Sequence, residues 1–242
     1  TTEIYTLSLH DALPIFVSVV YLKRGRWEGD LILNDKKVPS ITSFLDDSLV
    51  MTPFKLFANS AVCGQGAIIF GDGFTLSYDM AKEIISKNPK NKEVIFPYLS
   101  GEDLNQRADQ SPSRMVINFH DWPIEKVRGY SECFERIESL VFPQRKKVKR
   151  KAYREKWWQY AERQANLLER TSKLEKVLVK AKTSKTWAFG FIEPEIIYST
   201  AVIGFVFEDF LHYAVLQSSI HQIWAEKYAS TLKSDMAYTP TD

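Results

Sequence analysis

The chain has 242 residues, 45% of them hydrophobic and 26% charged, with a formal net charge of +2; that is enough apolar material for one large or two small cored domains and excludes a disordered or fibrous chain. Two cysteines, Cys63 and Cys133, are too few and too far apart in sequence for a disulfide framework or a cysteine metal site, so both read as buried small hydrophobes in a reducing compartment, with the cytoplasm as the expected location. No apolar run of about 18 residues occurs, so the sequence supports no membrane-spanning helix.

Residues 1–15, TTEIYTLSLHDALPI, resemble the conceptual translation of a short-read sequencing adapter and are expected to be non-native, so they are set aside from fold reasoning. The native part is then expected to start at about Phe16, and the chain to be cut at both ends. Phe16–Leu22 predicts a strand, followed by an exposed turn carrying Lys23, Arg24 and Arg26. Leu31–Leu33 and Val38–Phe44 predict short strands or turns. Ala67–Phe70 predicts another strand, flanked by GQG and GDG as positions for positive φ. Ser77 predicts the N-cap of a helix over Tyr78–Lys87, closed by Asn88 and Pro89. Tyr98–Gln110 reads as loop, Met115–Phe119 alternates as a strand, and Asp121–Pro123 breaks it.

Ser131 predicts a cap, after which Cys133, Phe134, Ile137, Leu140 and Val141 recur at helical spacing. Pro143 predicts the start of a second helix, which carries Arg145, Lys146, Lys147, Lys149, Arg150, Lys151, Arg154 and Lys156 and then Trp157, Trp158 and Tyr160. Val177–Ala181, Trp187–Ile192, Ile196–Ser199 and Val202–Val206 predict four short strands. Glu208–Ala229 predicts one amphipathic helix with Phe210, Leu211, Ala214, Val215, Ile220, Ile223 and Trp224 on its buried side. The expected fold class is α+β: short strands with inserted helices, followed by a helical C-terminal segment.

No motif for chemistry is present. There is no GxGxxG after a strand, no GxxxxGK[ST], no GxSxG, no HExxH and no CxxC, and the GQGAIIFGDG stretch lacks the helix and acidic partner of a dinucleotide site. His120, His212 and His221 have no second ligand at metal spacing and read as structural, so neither catalytic nor metal-binding residues are expected. A cationic run is most often a solvated helix face. Here it is almost free of acid until Glu155, adjoins two tryptophans, and is joined by Arg114 in the SPSR loop and by the Arg24 and Arg26 turn. That combination points to nucleic acid. Arg24, Arg26, Arg114, Arg145, Lys146, Lys147, Lys149, Arg150, Lys151 and Arg154 are the phosphate-binding candidates. Trp157 and Trp158 read as core anchors, because adjacent helical residues point about 100° apart and cannot form one stacking platform. Lys233 and Asp235, in TLKSDMAY, share a face if extended and can then donate to guanine and accept from cytosine of one pair; on spacing alone a plain surface charge pair is equally open.

Taken in order, IFPYLSGEDLNQ, SPSRMVINFHDWP, VFPQRKKVKRKAYREKWWQYAER, VLVKAKTSKTWAFGF, AVLQSSIHQIWAEKYAS and LKSDMAYTPTD resemble the MmeI-like (type IIL) restriction-modification proteins, in the part that follows their methyltransferase domain. The resemblance covers essentially all of residues 16–242. It implies a parent polypeptide joining an endonuclease domain, a helical spacer, an S-adenosylmethionine-dependent adenine-N6 methyltransferase domain, a target recognition domain and a C-terminal helical region. This chain would supply the recognition domain, expected over residues 16–198, and the start of the next region, 199–242. The family's NPPY, SAM-binding glycine and PD-ExK motifs match nothing here, so S-adenosylmethionine, and Mg2+ in a parent that cuts, would belong to the missing parts. Implied partners are double-stranded DNA and the methyltransferase domain of the same chain, with no membrane. The resemblance places base reading near residues 232–238, which favours Lys233 and Asp235, with Ser184 and Lys185 next. The cationic helix would set register on phosphates, and the target adenine would flip into a pocket on the missing domain. The alternative is a stand-alone nucleic-acid-binding module or specificity subunit acting in trans.

Overall fold

The computed structural model describes residues 24–42, 45–47, 59, 61–232 and 235–239, and the chain divides into two units, Thr1–Phe54 and Lys55–Asp242. The strand expected at Phe16–Leu22, Lys23 and the adapter-like residues 1–15 lie outside the described residues. In the first unit, β1 (Leu31–Leu33) pairs antiparallel with β2 (Lys36–Val38). Asn34 and Asp35 between them have φ of 49° and 62°, the two positive values that let a two-residue turn match the right-handed strand twist.

The second unit is α+β and begins with β3 (Cys63–Gln65), β4 (Thr75–Leu76) and α1 (Tyr78–Lys87). Ala67–Phe70, expected as a strand, contributes only single bridges, Ala67 to Ser199 and Ile68 to Glu162. Of the glycines around it, Gly71 has the expected positive φ, 124°. Then follow β5 (Ile95–Leu99), α2 (Gly101–Gln106) and β6 (Arg114–Ile117). With β10 (Ile197–Tyr198) these strands form a sheet of order β10-β5-β6-β4, in which β10 runs parallel to β5. Phe74, Leu76, Val94, Ile95, Val116 and Ile117 from this sheet and its approaches pack on Ala81 of α1, on Val127 of α3 (Ile124–Val127) and on Cys133, Phe134 and Ile137 of α4 (Ser131–Leu140). Ser131 is the first helical residue of α4 and makes no cap; Tyr130 stands at the cap position without a capping bond, its hydroxyl donating instead to Glu93. Burial pushes the Cys133 thiol up to about 12.

The continuous cationic helix expected after Pro143 is two short pieces, α5 (Phe142–Arg145) and α6 (Lys151–Glu155), with Lys146–Arg150 in the turn between them. In an unbroken helix, cations at i, i+3 and i+4 would repel along one face. After α7 (Ala165–Thr171) the second sheet assembles from β7 (Val177–Ala181), β9 (Phe189–Ile192), β11 (Val202–Phe205) and β3, in the order β3-β11-β7-β9 and antiparallel throughout. Both faces are covered. Val177, Val179 and Val202 meet Leu99, Leu167 and Tyr198 on one side, while Leu178, Ile203 and Phe205 meet Ala225 and Tyr238 on the other. That two-sided burial is why these strands read as continuous apolar runs.

The single helix expected at Glu208–Ala229 is broken at Ser218, whose extended backbone (ψ 152°) separates α8 (Phe210–Gln217) from α9 (Ser219–Tyr228) and whose hydroxyl caps α9 at His221 N. The break also changes which side faces inward. Tyr213, Leu216 and Ala225 pack on the second sheet, and Gln217 links to Trp187 and Phe189 through its side chain. Phe210, Leu211, Val215, Ile220, Ile223 and Trp224, expected to be buried, are exposed, and so is Ala214. The remaining strands, β8 (Thr183–Ser184), β12 (Ser230–Leu232) and β13 (Asp235–Ala237), form a three-stranded sheet of order β12-β13-β8. A boundary at residue 198 does not follow these sheets, because β11 pairs with β3 and β7, and β13 pairs with β8.

Candidate nucleic-acid interface

β7 runs on through Lys182 into β8, so the three-stranded sheet extends a core strand. Met236 pairs with Ser184 and Ala237 with Thr183. One residue further along that antiparallel register, exposed Lys185 comes opposite half-buried Asp235. Two of the four predicted base-reading residues thus flank the paired ends of β8 and β13. Lys233 lies outside the described residues. Ser184 is only 6% exposed, and its Oγ accepts from Thr186 N at 3.1 Å; it shapes the turn that presents Lys185 and has no free face for a base. Asn105, at the end of α2, donates from Nδ2 to the Thr183 carbonyl at 3.0 Å and anchors this edge to the first sheet's helix. Arg107 follows it, exposed and bonded to Ser111 Oγ. Sequence reasoning missed both, although the Ser100–Asp103 spacing is the signal that starts their helix. Arg114, at the start of β6 opposite Tyr98, is exposed.

Beneath the edge sits Lys180, 2% exposed. Its Nζ lies 4.8 Å from the Trp187 ring centroid, 5.5 Å from Phe189 and 5.9 Å from Tyr238, and donates a long 3.5 Å bond to the Thr186 carbonyl. No carboxylate pairs with it among the described residues. Burial pulls its pKa from 10.5 down to about 8, and burial likewise holds nearby His221 below its ordinary value. The unfolded chain therefore binds more protons than the folded one between about pH 8 and 10.5, so this lysine makes stability rise with pH through that window. Cys133 acts oppositely above its ordinary 9.0, so the effect is best read as a difference. Lys180→Met should exceed the wild type in stability at pH 7 by an amount on the order of a few kcal/mol. In denaturant melts at stepped pH that margin should shrink from pH 8 to 10.5; a flat margin would show that the amine is not desolvated.

The cationic segment sorts into two groups. Arg145, predicted to bind phosphate, is 0% exposed and donates to the carbonyls of Phe70, at 2.8 Å, and Gln159, at 3.1 Å. Burial brings its pKa down to about 10. It ties α5 to the chain on either side and has no surface to offer. Arg150 reaches Glu162 at 3.1 Å, Lys151 reaches Glu155 at 3.6 Å, and Arg154 donates to the carbonyls of Val148 and Lys149; exposed pairs of this kind hold by only about 0–1 kcal/mol. Lys146, Lys147, Lys149 and Lys156 are exposed and form no ion pair among the described residues. Arg24 and Arg26 are exposed in the other unit. Trp157 is 8% exposed and in the core, and Trp158 is half-buried with Nε1 donating to the Trp122 carbonyl at 2.9 Å. The two rings meet edge to face at 85°, so they form no stacking platform.

Among the described residues no group of three or more His, Cys, Asp or Glu side chains could hold a metal, and none of their helices is long and apolar enough to cross a membrane. The glycine-rich stretch leads from β3 through a 3-10 turn at Asp72–Phe74 into β4 and so lacks the strand-to-helix turn of a dinucleotide site.

The family model described as "MmeI, target recognition domain" matches residues 56–241. A solved structure described as "Structure of Type IIL restriction-modification enzyme MmeI in complex with DNA has implications for engineering of new specificities" aligns with a TM-score of 0.67 and 18% identity, over 84% of this chain and 27% of that one. At that identity the likeness shows the fold, and this chain spans well under a third of that protein. No curated protein matches the chain.

Proposed function

This chain belongs to the MmeI target recognition domain family, and from that premise we propose that it recognises a specific sequence in duplex DNA for a longer restriction-modification enzyme. The observation that carries the reading is the presence of two groups of side chains suited to the two halves of the task. Four exposed lysines without ion pairs, Lys146, Lys147, Lys149 and Lys156, suit a phosphate backbone. A strand edge presenting a cation, Lys185, beside a carboxylate, Asp235, suits the donors and acceptors of a base pair. Arg150, Lys151, Arg154 and Arg114 are further phosphate-contact candidates in this unit, Arg24 and Arg26 are candidates in the other, and Lys233 is a further base-reading candidate. Ser184 and Arg145 act through the fold. Adenine-N6 methylation by S-adenosylmethionine, and Mg2+-dependent cleavage in a parent that cuts, would be chemistry of other parts of the polypeptide. In this reading the recognition domain runs to residue 241.

Changing Lys146, Lys147, Lys149 and Lys156 together to Gln should lower the slope of log K against log salt for duplex DNA by about 3 to 4, since each phosphate contact adds roughly 0.9. Fluorescence anisotropy at stepped salt measures it. A slope equal to that of the wild type would remove this segment from the DNA interface.

A further inference from the structure

Residues 185–188, which join β8 to β9, belong to no strand, and Lys185, Thr186 and Ala188 among them are exposed. A loop of this kind is ordinarily the loosest part of an edge, yet side chains from three separate elements hold its backbone. Asn105 of α2 donates to the Thr183 carbonyl at 3.0 Å, and Lys180 of β7 reaches the Thr186 carbonyl at 3.5 Å. From the end of α8, the Gln217 amide ties the far side of the loop twice. Its Nε2 donates to the Trp187 carbonyl at 2.6 Å, and its Oε1 accepts from Phe189 N at 2.9 Å. The Trp187 ring is fixed as well, Nε1 donating to the Leu216 carbonyl at 3.0 Å.

A glutamine that closes an edge strand serves the fold in any protein. Lys180 does not: its side chain is buried, and among the described residues its ammonium meets aromatic rings and one long carbonyl bond, terms on which a buried charge costs stability. Both ties end on the loop that projects Lys185. We infer that Lys180 and Gln217 are positioning residues for base reading: by holding residues 184–189 they fix where the Lys185 ammonium stands, and so set how sharply one base pair is preferred over the others. The physical reason is pre-organisation. A lysine on a free loop can follow whichever acceptor the major groove offers, whereas one on a held loop meets only the acceptors within its reach. A held loop also loses less freedom when DNA arrives.

This positioning role rests on the base reading proposed for Lys185. Sequencing the fraction of a randomised duplex DNA library that the chain binds, with melting and the salt slope measured beside it, tests both. Lys185→Ala should flatten the preference at one base-pair position, a preference of roughly ten- to hundredfold for a single base contact. Lys180→Met and Gln217→Met should each narrow the preference at that same position to within about threefold, with the other positions and the salt slope as in the wild type. Lys180→Met should do so with a melting point at or above that of the wild type at pH 7, so its loss is not one of folding; should Gln217→Met not fold, Lys180→Met decides alone. Adding Gln217→Met to Lys185→Ala should change nothing more at that position, the mark of one residue acting through another. A preference kept in Lys180→Met and lost in Lys185→Ala would overturn the positioning role and leave base reading standing. An equal loss at every position would overturn it in favour of a structural role only. No change at any position in Lys185→Ala would overturn base reading by Lys185, and the positioning role with it.

Discussion

Trp157→Ala is expected to lower the free energy of unfolding by about 3–5 kcal/mol, the cost of removing a large aromatic from a packed core. Trp157 is 8% exposed, and its ring lies 5.6 Å from Phe134 and 5.0 Å from Phe142, so the indole joins α4 and α5 to the segment leading to Tyr160. Tyr160 in turn donates its hydroxyl to the Ile117 carbonyl at 2.9 Å. A cavity at position 157 therefore loosens the attachment of the cationic turn to the first sheet. Chemical denaturation measures the loss, and an unchanged midpoint would contradict the burial.

Gly66→Ala is the second large effect, about 3 kcal/mol or more. Gly66 is buried where the chain leaves β3 and passes β10. A Cβ there would collide with the carbonyl oxygens of Tyr198 and Ser199, which are backbone atoms and cannot rotate away. The same stretch holds the two sheets together, through Gly66 N to the Val202 carbonyl at 3.0 Å and Ala67 N to the Tyr198 carbonyl at 2.9 Å. Alanine should thus separate β3 from β10 and lower the thermal midpoint well beyond what the loss of glycine's flexibility could offset; a midpoint at or above that of the wild type would show that the crossing has slack.

Elements whose signals are local were legible in the sequence. α1 begins and ends as its caps predict, with Ser77 Oγ accepting from Met80 N at 3.2 Å, and β7 occupies the residues its apolar run predicts. α2 was hidden in a loop reading, although Ser100 and Asp103 satisfy each other's backbone N–H there. Burial pushes the Asp103 carboxyl up, but bonds from Ser113 and Ser100 outweigh it and bring it down. The candidate site was legible as residue types and not as an arrangement. Arg145 counts as one more cation in the run until the fold brings up the Phe70 carbonyl, 75 residues away. Lys185 and Asp235 come to neighbouring strand ends only because β13 returns to β8. The outward face of α8 and α9 was misread because apolar periodicity marks a buried side without saying by what it is buried.

The continuity of β7 into β8 has a consequence for how such a chain can diversify. β7 is buried along its whole length, whereas exposed Lys185 and half-buried Asp235 stand just beyond the core strand and belong to none of the packed clusters. A lineage can therefore try new side chains at exposed position 185 with little penalty in foldedness, while the buried strand behind it stays as it is. Innovation at the tip is uncoupled from conservation of the frame.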